Sequence, residues 1–529
     1  MYNSTFSTLG FGDYQEFKLV KSLHADLNTL WKVFITIFAI YLTSKYTYRV
    51  YFHKLSGIPG PPLAAASHLY EAYLNIIADG YFKRLLPMHR HYNSPVVRIG
   101  TNHVHVGDPQ YYHTIYNSGS DFIKAGEIYE KLGIDGSMLT ICDPEEHRQY
   151  RSIVVSLFSR KASDDVVPIM GREIRKAAQS MAGQCRTGTH TVICRVFRAL
   201  AADMTSQLVL GKPLGLIDTV GVEADHYHDL MRSVDAFTRI TWFRIYYRVV
   251  NWAIISLPTG AVNLLQPGLI AYRQRFEAKL QKTCKEFDSG KALEGRDTLF
   301  SLMVQSRRKV SQQIDSDRFF NDVVNYIVAG MEATSYVLTF ATYFLLTNPA
   351  CLAKMQKELF ESQEYVERMD HREIMKLPYL TAVVKESLRL SNTVPGHLPR
   401  IVPASGMQIG DYHVPGGTMV SMVHPVVERS EEIFPNAHQF LPERWTGPDS
   451  HKLDKWAIAF SKGRRQCIGM NLANIQLYMI IAVFFCRFEM DLFETTAADV
   501  DIVDQFAPIM KAPVKIKILK DRWAHLYAE

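Results

Sequence analysis

The first strong pattern along the chain is the run LNTLWKVFITIFAIYLTS, Leu27 to Ser44, which is mostly apolar. At about 1.5 Å per residue, a helix of this length nearly spans a hydrocarbon core of about 30 Å. Lys32 sits near one end, where its side chain can snorkel to the headgroups, and Trp31, Tyr46 and Tyr48 suit the interfaces. Lys45, Arg49, His53 and Lys54 follow, which favours a cytosolic position for everything downstream. The pattern predicts a lumenal tail and one transmembrane helix within residues 1–54. Asn3-Ser4-Thr5 is then a glycosylation acceptor in the tail. No small-residue cleavage site follows the run, which argues against a signal peptide. Gly57-Ile58-Pro59-Gly60-Pro61-Pro62 comes next. Its prolines fix φ and remove donors, so residues 55–65 are expected to form a stiff, extended hinge.

Residues 66–529 are expected to form one catalytic domain, mostly α with small β sheets. From Tyr70 to Met170, helical stretches mix with short strand-like runs such as Val96-Val97-Arg98-Ile99. From Val166 to Phe360 the periodicity is mostly helical. Asn321 to Thr347 is apolar throughout and ends at Asn348-Pro349, which predicts a long helix buried through the centre. Phe237 to Leu257 interleaves aromatic residues with Arg239, Arg244 and Arg248. A surface resting on lipid and a packed core fit that stretch equally well.

Charge and cysteine content narrow the function. With 59 basic against 53 acidic residues the net charge is +6, and no long Lys/Arg block is present. That gives no footprint for nucleic acid, but suits an anionic membrane surface or an acidic partner. The seven cysteines (Cys142, Cys185, Cys194, Cys284, Cys351, Cys467 and Cys486) are scattered, with no CxxC pair. They argue against a disulfide framework and against a structural zinc site.

Chemistry concentrates in three places. In the central helix, Gly330 removes a side chain where a flat group would press on the backbone. Glu332 and Thr334 beside it offer an acid and a hydroxyl for proton delivery. A helix kink with a capped polar pair is the competing reading. Glu386 and Arg389 stand at i, i+3 on one helix face, and Arg444 in Pro442-Glu443-Arg444-Trp445 offers a second guanidinium for a buried network. Finally, Cys467 sits between Gly463 and Gly469 and follows Arg464 and Arg465. Basic neighbours, loop N–H donors and the N-terminus of a helix from Met470 to Phe485 all favour a thiolate.

This last segment resembles the haem-binding signature of the cytochrome P-450 family, F-x-x-G-x-R-x-C-x-G, at Phe460, Gly463, Arg465, Cys467 and Gly469. The E-x-x-R pair Glu386/Arg389, the P-E-R-W arginine Arg444, the A-G-x-E run Ala329 to Glu332 and the Pro-rich hinge stand in the family's order. The resemblance implies the cytochrome P-450 fold and haem b with Cys467 as axial iron ligand. It implies haem propionates held by Arg465 and by His147 and Arg151, where His147 replaces the commoner tryptophan. Arg400 matches a further propionate position. The texture of Lys376-Leu377-Pro378-Tyr379-Leu380, Leu398-Pro399-Arg400 and Val414-Pro415-Gly416-Gly417-Thr418 is similar to trichodiene-oxygenase-like fungal monooxygenases.

The implied activity is insertion of one oxygen atom from O2 into an apolar, terpenoid or polyketide-derived molecule. The electrons come from NADPH through a cytochrome reductase. The implied location is the endoplasmic reticulum membrane, single-pass, with the body in the cytosol. One departure stands out. The family usually carries threonine directly after the acid; here that position is Ala333 and the hydroxyl comes at Thr334. One residue turns a helix by about 100°. A distorted helix, a relay through substrate hydroxyl and water, or a reaction that needs no efficient O2 activation would each account for this. The last corresponds to a reductase-independent isomerase or dehydratase. A non-enzymatic haem sensor is the remaining alternative.

Overall fold

The computed structural model describes residues 12–219, short pieces between 231 and 302 of which 241–247 is the longest, and residues 316–526. The tripeptide at Asn3 lies outside them. Helix α1, Gly12–Thr47, starts well before the apolar run and continues into a π turn, Tyr48–Phe52. From Leu30 to Tyr41 its large apolar side chains are exposed.

The expected extended hinge is shorter than residues 55–65: turns occupy 54–57, only 59–61 are extended, and a short helix, Pro62–Ala66, follows; nor is the segment a free spacer. Strand β1 (Val96–Gly100) receives it: Arg98 donates its N–H to Pro59 O at 2.7 Å, and a Cβ on Gly60 would lie 2.1 Å from Arg98 O. Only glycine permits that approach. The Arg98 side chain is buried and donates to the carbonyls of Gly100, Thr101 and Arg49. Arg49 in turn donates to Ala66 O. The exit of α1 from the body is therefore fixed by hydrogen bonds on both sides of the prolines.

Among the described residues, four small sheets carry the β structure. Strands β1, β2 (His103–Val106), β3 (Ile123–Lys124), β5 (Arg400–Ile401) and β8 (Met419–Ser421) form one sheet, in the order β1-β2-β8-β5-β3. Only the β2/β8 pairing in it is parallel. Strands β4 (His190–Val192), β12 (Lys515–Asp521) and β9 (Phe488–Leu492) form a second, antiparallel sheet. Two hairpins complete the set, β6/β7 (Met407–Ile409, Tyr412–Val414) and β10/β11 (Ile502–Gln505, Ala507–Met510).

Helices make the bulk. Asp143 caps α2 (Pro144–Val154) by accepting Glu146 N–H, and Pro144 opens it where no donor is missed. Next come α3 (Val167–Thr187) and α4 (Ile193–Leu210), each closed by a left-handed glycine, Gly188 and Gly211. Helix α5 runs Ser316–Thr347, and Pro349 then starts α6 (Pro349–Glu361) at 108° to it. Helices α7 (Pro378–Ser391) and α8 (Met470–Arg487) follow. Helix α8 is long and apolar enough to cross a membrane, yet most of it is buried inside the body. It and α5 pack among α3, α4, α6 and α7 in the main core. Buried hydroxyls on α5 bond back to their own helix, Thr339 to Ser335 O and Thr342 to Leu338 O.

The described part of the aromatic stretch (241–247) faces both ways. Trp242 and Ile245 are buried, with Trp242 Nε1 donating to Asp504 O, while Phe243 and Tyr247 are exposed. Thr238 is also buried, while Arg239 and Trp252 are exposed; Arg248 lies outside the described residues.

Candidate active site

The cysteine loop is shaped by its glycines. Gly463 has φ +73°, and a Cβ there would lie 2.4 Å from Tyr116 O. The turn and the packing against residues 116–118 both require its bare backbone. Cys467 N–H donates to Phe460 O at 2.9 Å, closing the loop. The Cys467 side chain is open on one side although the loop is embedded in the body. That embedding pushes the thiol up, while Gly469 N–H and the charge of Arg151 favour the thiolate. Gly469 caps α8, whose N-terminal dipole acts in the same direction.

Beside the loop, cations gather without acids. Arg151 of α2 donates to Gln466 O at 2.9 Å, and Arg465 to Ile141 O at 2.7 Å and Cys142 O at 2.9 Å. Arg400 on β5 donates to Tyr129 Oη at 3.1 Å, and its guanidinium lies over the Tyr116 ring. Lys124 on β3 is buried; it donates to Leu139 O at 2.5 Å and lies 4.3 Å from the Tyr129 ring centre. Burial and then Arg400 and Arg465 hold Lys124 well below its ordinary pKa. Burial and then Arg400 bring Arg465 down to about 10. His147, buried on α2, is pushed down to about 3 by burial and then by Arg465, Lys124 and Arg151, so it is neutral and keeps one donor. Among the described residues none of these cations has a carboxylate partner. Buried cations that repel one another call for an anionic group between them. The two propionates of haem, next to an open thiolate, fit that demand.

Helix α5 places three of the residues singled out in the sequence. Its open stripe runs through Asn325, Ala329 and Ala333, with Ala329 exposed in the middle of an otherwise buried element. Thr334 is not on that stripe: it is 3% exposed, turned about 100° away. The helix shows no distortion that would bring it back. Gly330 does not face a flat group either. A Cβ there would lie 2.6 Å from Thr205 Oγ1 of α4, so the glycine lets two helices approach. Glu332 turns the same way and pairs with Arg198 of α4 at 2.5 Å. Arg198 also holds Asp235 at 2.8 Å.

Glu386, Arg389 and Arg444 meet in one buried network. Arg389 Nε and a terminal nitrogen donate to Glu386 at 2.9 and 2.7 Å, and Arg444 Nε donates at 3.1 Å. Trp445 Nε1 and Leu441 N–H complete the carboxylate's shell at 2.8 and 3.0 Å. The remaining guanidinium donors reach carbonyls of Glu428, Ala437, Gln439, Pro435 and Asn436. Sequence reasoning missed Lys124 and its tyrosine wall, Tyr116 and Tyr129. The segment Phe122-Ile123-Lys124 carries no signal that its lysine is buried.

Residues 74–519 match the family model described as Cytochrome P-450. The chain is 60% identical over 484 residues to the cytochrome P-450 monooxygenase ankB of Aspergillus thermomutatus, covering 91% of this chain and 92% of that one. It is 33% identical over 490 residues to the monooxygenase aneF of Aspergillus aculeatus, with 92% and 98% covered. It is 34% identical over 510 residues to the monooxygenase cloA of Claviceps purpurea, with 94% and 98% covered.

Proposed function

The chain belongs to the cytochrome P-450 family; as a member it is a haem-thiolate monooxygenase, and we propose that Cys467 is its axial ligand and an apolar intermediate of fungal secondary metabolism its substrate. The observation that carries this is the open thiol of Cys467 at the start of α8 beside a cation cluster that lacks acids. Bound haem supplies O2 activation, with one oxygen atom passing to substrate and the other leaving as water, at the expense of two electrons from NADPH delivered by a reductase.

The chain's own residues do the rest. Gly469 N–H and Arg151 stabilise negative charge at Cys467 Sγ. Arg151, Arg400, Arg465 and Lys124 form a cradle for the propionates, with His147 as a neutral donor at its edge. The stripe Asn325, Ala329 and Ala333 offers a substrate mostly methyl groups and one amide. Glu332 is the proton source; it must turn from Arg198 to hand a proton on. Because Ala333 brings no hydroxyl, water or a substrate hydroxyl carries that proton across the gap. Helix α1 anchors the body to the endoplasmic reticulum membrane in one pass. The substrate class rests on texture similar to trichodiene-oxygenase-like enzymes and on the fungal relatives.

Two measurements test the reading. Cys467→Ser should abolish the red-shifted thiolate band of the reduced carbon monoxide complex. Product formation from a candidate terpenoid or polyketide substrate should require NADPH and reductase. A serine variant that keeps the band removes Cys467 from its role, and turnover without reductase turns the reading toward an isomerase, which Ala333 would suit.

A further inference from the structure

Three side chains from distant parts of the chain converge beside the five-stranded sheet. Glu71 comes from the helix Leu69–Ile76, His103 from β2, and His397 from the loop before β5. All three are buried, and one possible donor atom from each lies within 4.8 Å of the other two. His397 Nε2 lies 3.2 Å from Glu71 Oε1, an ion pair inside the cluster. Glu71 Oε1, His103 Nδ1 and both ring nitrogens of His397 have no hydrogen-bond partner among the described residues. An unsatisfied buried polar atom costs about 1–3 kcal/mol. One such atom from each of the three residues can face a single point, and together they indicate a shared partner.

The surroundings orient these atoms inward. His103 Nε2 lies 2.8 Å from Ser421 Oγ, so the far nitrogen is held and Nδ1 is left for the cluster. Tyr246 Oη accepts from Asn75 Nδ2 at 2.7 Å and keeps its own proton for Glu71, against which it packs. The His103 and His397 rings stand 4.9 Å apart at 64°, so they present edges rather than stack. The Asp504 carboxylate lies behind Gly396, 3.0 Å from where a Cβ would stand.

We propose that Glu71, His103 and His397 bind a divalent cation of the zinc type. Two imidazoles and one carboxylate are a common zinc set, and a hydroxyl holding the far nitrogen of a ligating ring is the usual outer shell. The scattered cysteines argue against a thiolate zinc site but do not bear on this one. The ion would clamp the helix after the hinge and the centre of the sheet to the loop that leads into Arg400. Its role is structural, and it does not depend on the haem-site reading.

The test uses the full-length, haem-loaded protein, purified without a metal-affinity resin and with zinc chloride as the probe. Elemental mass spectrometry should count about one zinc per haem iron. X-ray absorption at the zinc edge should show a nitrogen and oxygen shell at about 2.0–2.1 Å, with imidazole scattering and without sulfur or porphyrin. Glu71→Gln and His397→Gln should each lower zinc content by about tenfold or more while the reduced carbon monoxide spectrum survives. Wild-type protein that neither contains zinc nor takes it up from zinc chloride overturns the site, leaving a water or a proton there. Zinc content unchanged in both variants overturns it equally. Should the variants fail to accumulate, the wild-type absorption spectrum decides alone, because a sulfur or porphyrin shell places the ion elsewhere.

Discussion

Ala333 and Thr334 differ by one position, and at that scale the chemistry of proton delivery is decided. The open stripe of α5 presents the Ala333 methyl, while the Thr334 hydroxyl is buried elsewhere. Thr334→Ala is therefore expected to leave product formed per NADPH unchanged. Glu332→Gln should lower turnover, toward the 10²-fold that a positioned acid typically contributes, about that order and not beyond 10⁴. Product and peroxide yields measured together check both, and peroxide release in the Thr334 variant alone would return the hydroxyl to the pathway. The cysteine loop was legible because its residue types are each forced: positive φ at Gly463, a capping backbone at Gly469, a thiolate at Cys467. The side on which a residue of α5 lies was not legible. An apolar helix buried on nearly every side has no polar face from which to read its phase, so Gly330 reads from sequence as facing a flat group, whereas the one-residue offset of Thr334 already sets it about 100° from the family's threonine. Lys124 escaped for a related reason. A lysine is ordinarily solvated, and only the fold shows this one beneath Tyr129.

Two buried contacts between elements set how the helices hold together. Glu386 on α7 receives four groups from two elements and is fully buried. Its removal leaves Arg389 and Arg444 as uncompensated charges, a cost on the order of 3–5 kcal/mol. Glu386→Ala should yield little haem-loaded protein, seen as a collapsed Soret-to-protein absorbance ratio; normal loading would show that the network is dispensable. The second contact joins α5 to α2. Tyr150 Oη donates to Asp322 Oδ2, and Met138 N–H donates to Oδ1 at 2.8 Å. Burial pushes Asp322 from an ordinary 3.8 up to about 7. Between these values the folded chain keeps a proton that the unfolded chain has released. Stability therefore falls as pH rises through that window and levels off above it. Asp322→Asn removes the titration. The wild type should lose on the order of 1–3 kcal/mol more than the variant between about pH 4 and about pH 8, read from denaturant melts. Parallel losses would place the carboxyl's titration elsewhere. The sequence announced these helices through periodicity and their Pro349 and Pro378 starts. It was silent on Asp322 and Tyr150, which are ordinary polar residues until α2 and α5 meet.

At the scale of the whole molecule, the proposed attachment to a membrane rests on more than α1. The Pro-rich segment reads from sequence as a spacer, because prolines forbid helix and say nothing about docking. In the fold it is bound to β1, and Arg98 ties the end of α1 to the body. Convergence of segments is equally hidden in one sequence, which is why Glu71, His103 and His397 meet without any spacing motif. The helix that carries Glu71 is inverted. It buries Glu71 and Asn75, while Leu69, Tyr73 and Ile77 at its end form an exposed apolar stripe at i, i+4, i+8. Tyr51, Phe52 and Leu63 are exposed on the neighbouring segment. If α1 enters a bilayer as proposed, apolar groups next to its exit gain by entering the interface, about 1.5–3 kcal/mol for each side chain fully removed from water. Two attachments are therefore expected. A chain lacking residues 1–47 should still float with anionic vesicles in a density gradient. The same chain with Leu69→Ser, Tyr73→Ser and Ile77→Ser should remain at the bottom with its carbon monoxide spectrum intact. A truncated chain that fails to float would leave α1 as the sole attachment. Retention of the triple variant would assign the second attachment to other surface residues, because deleting this stripe removes the apolar area on which the expectation rests.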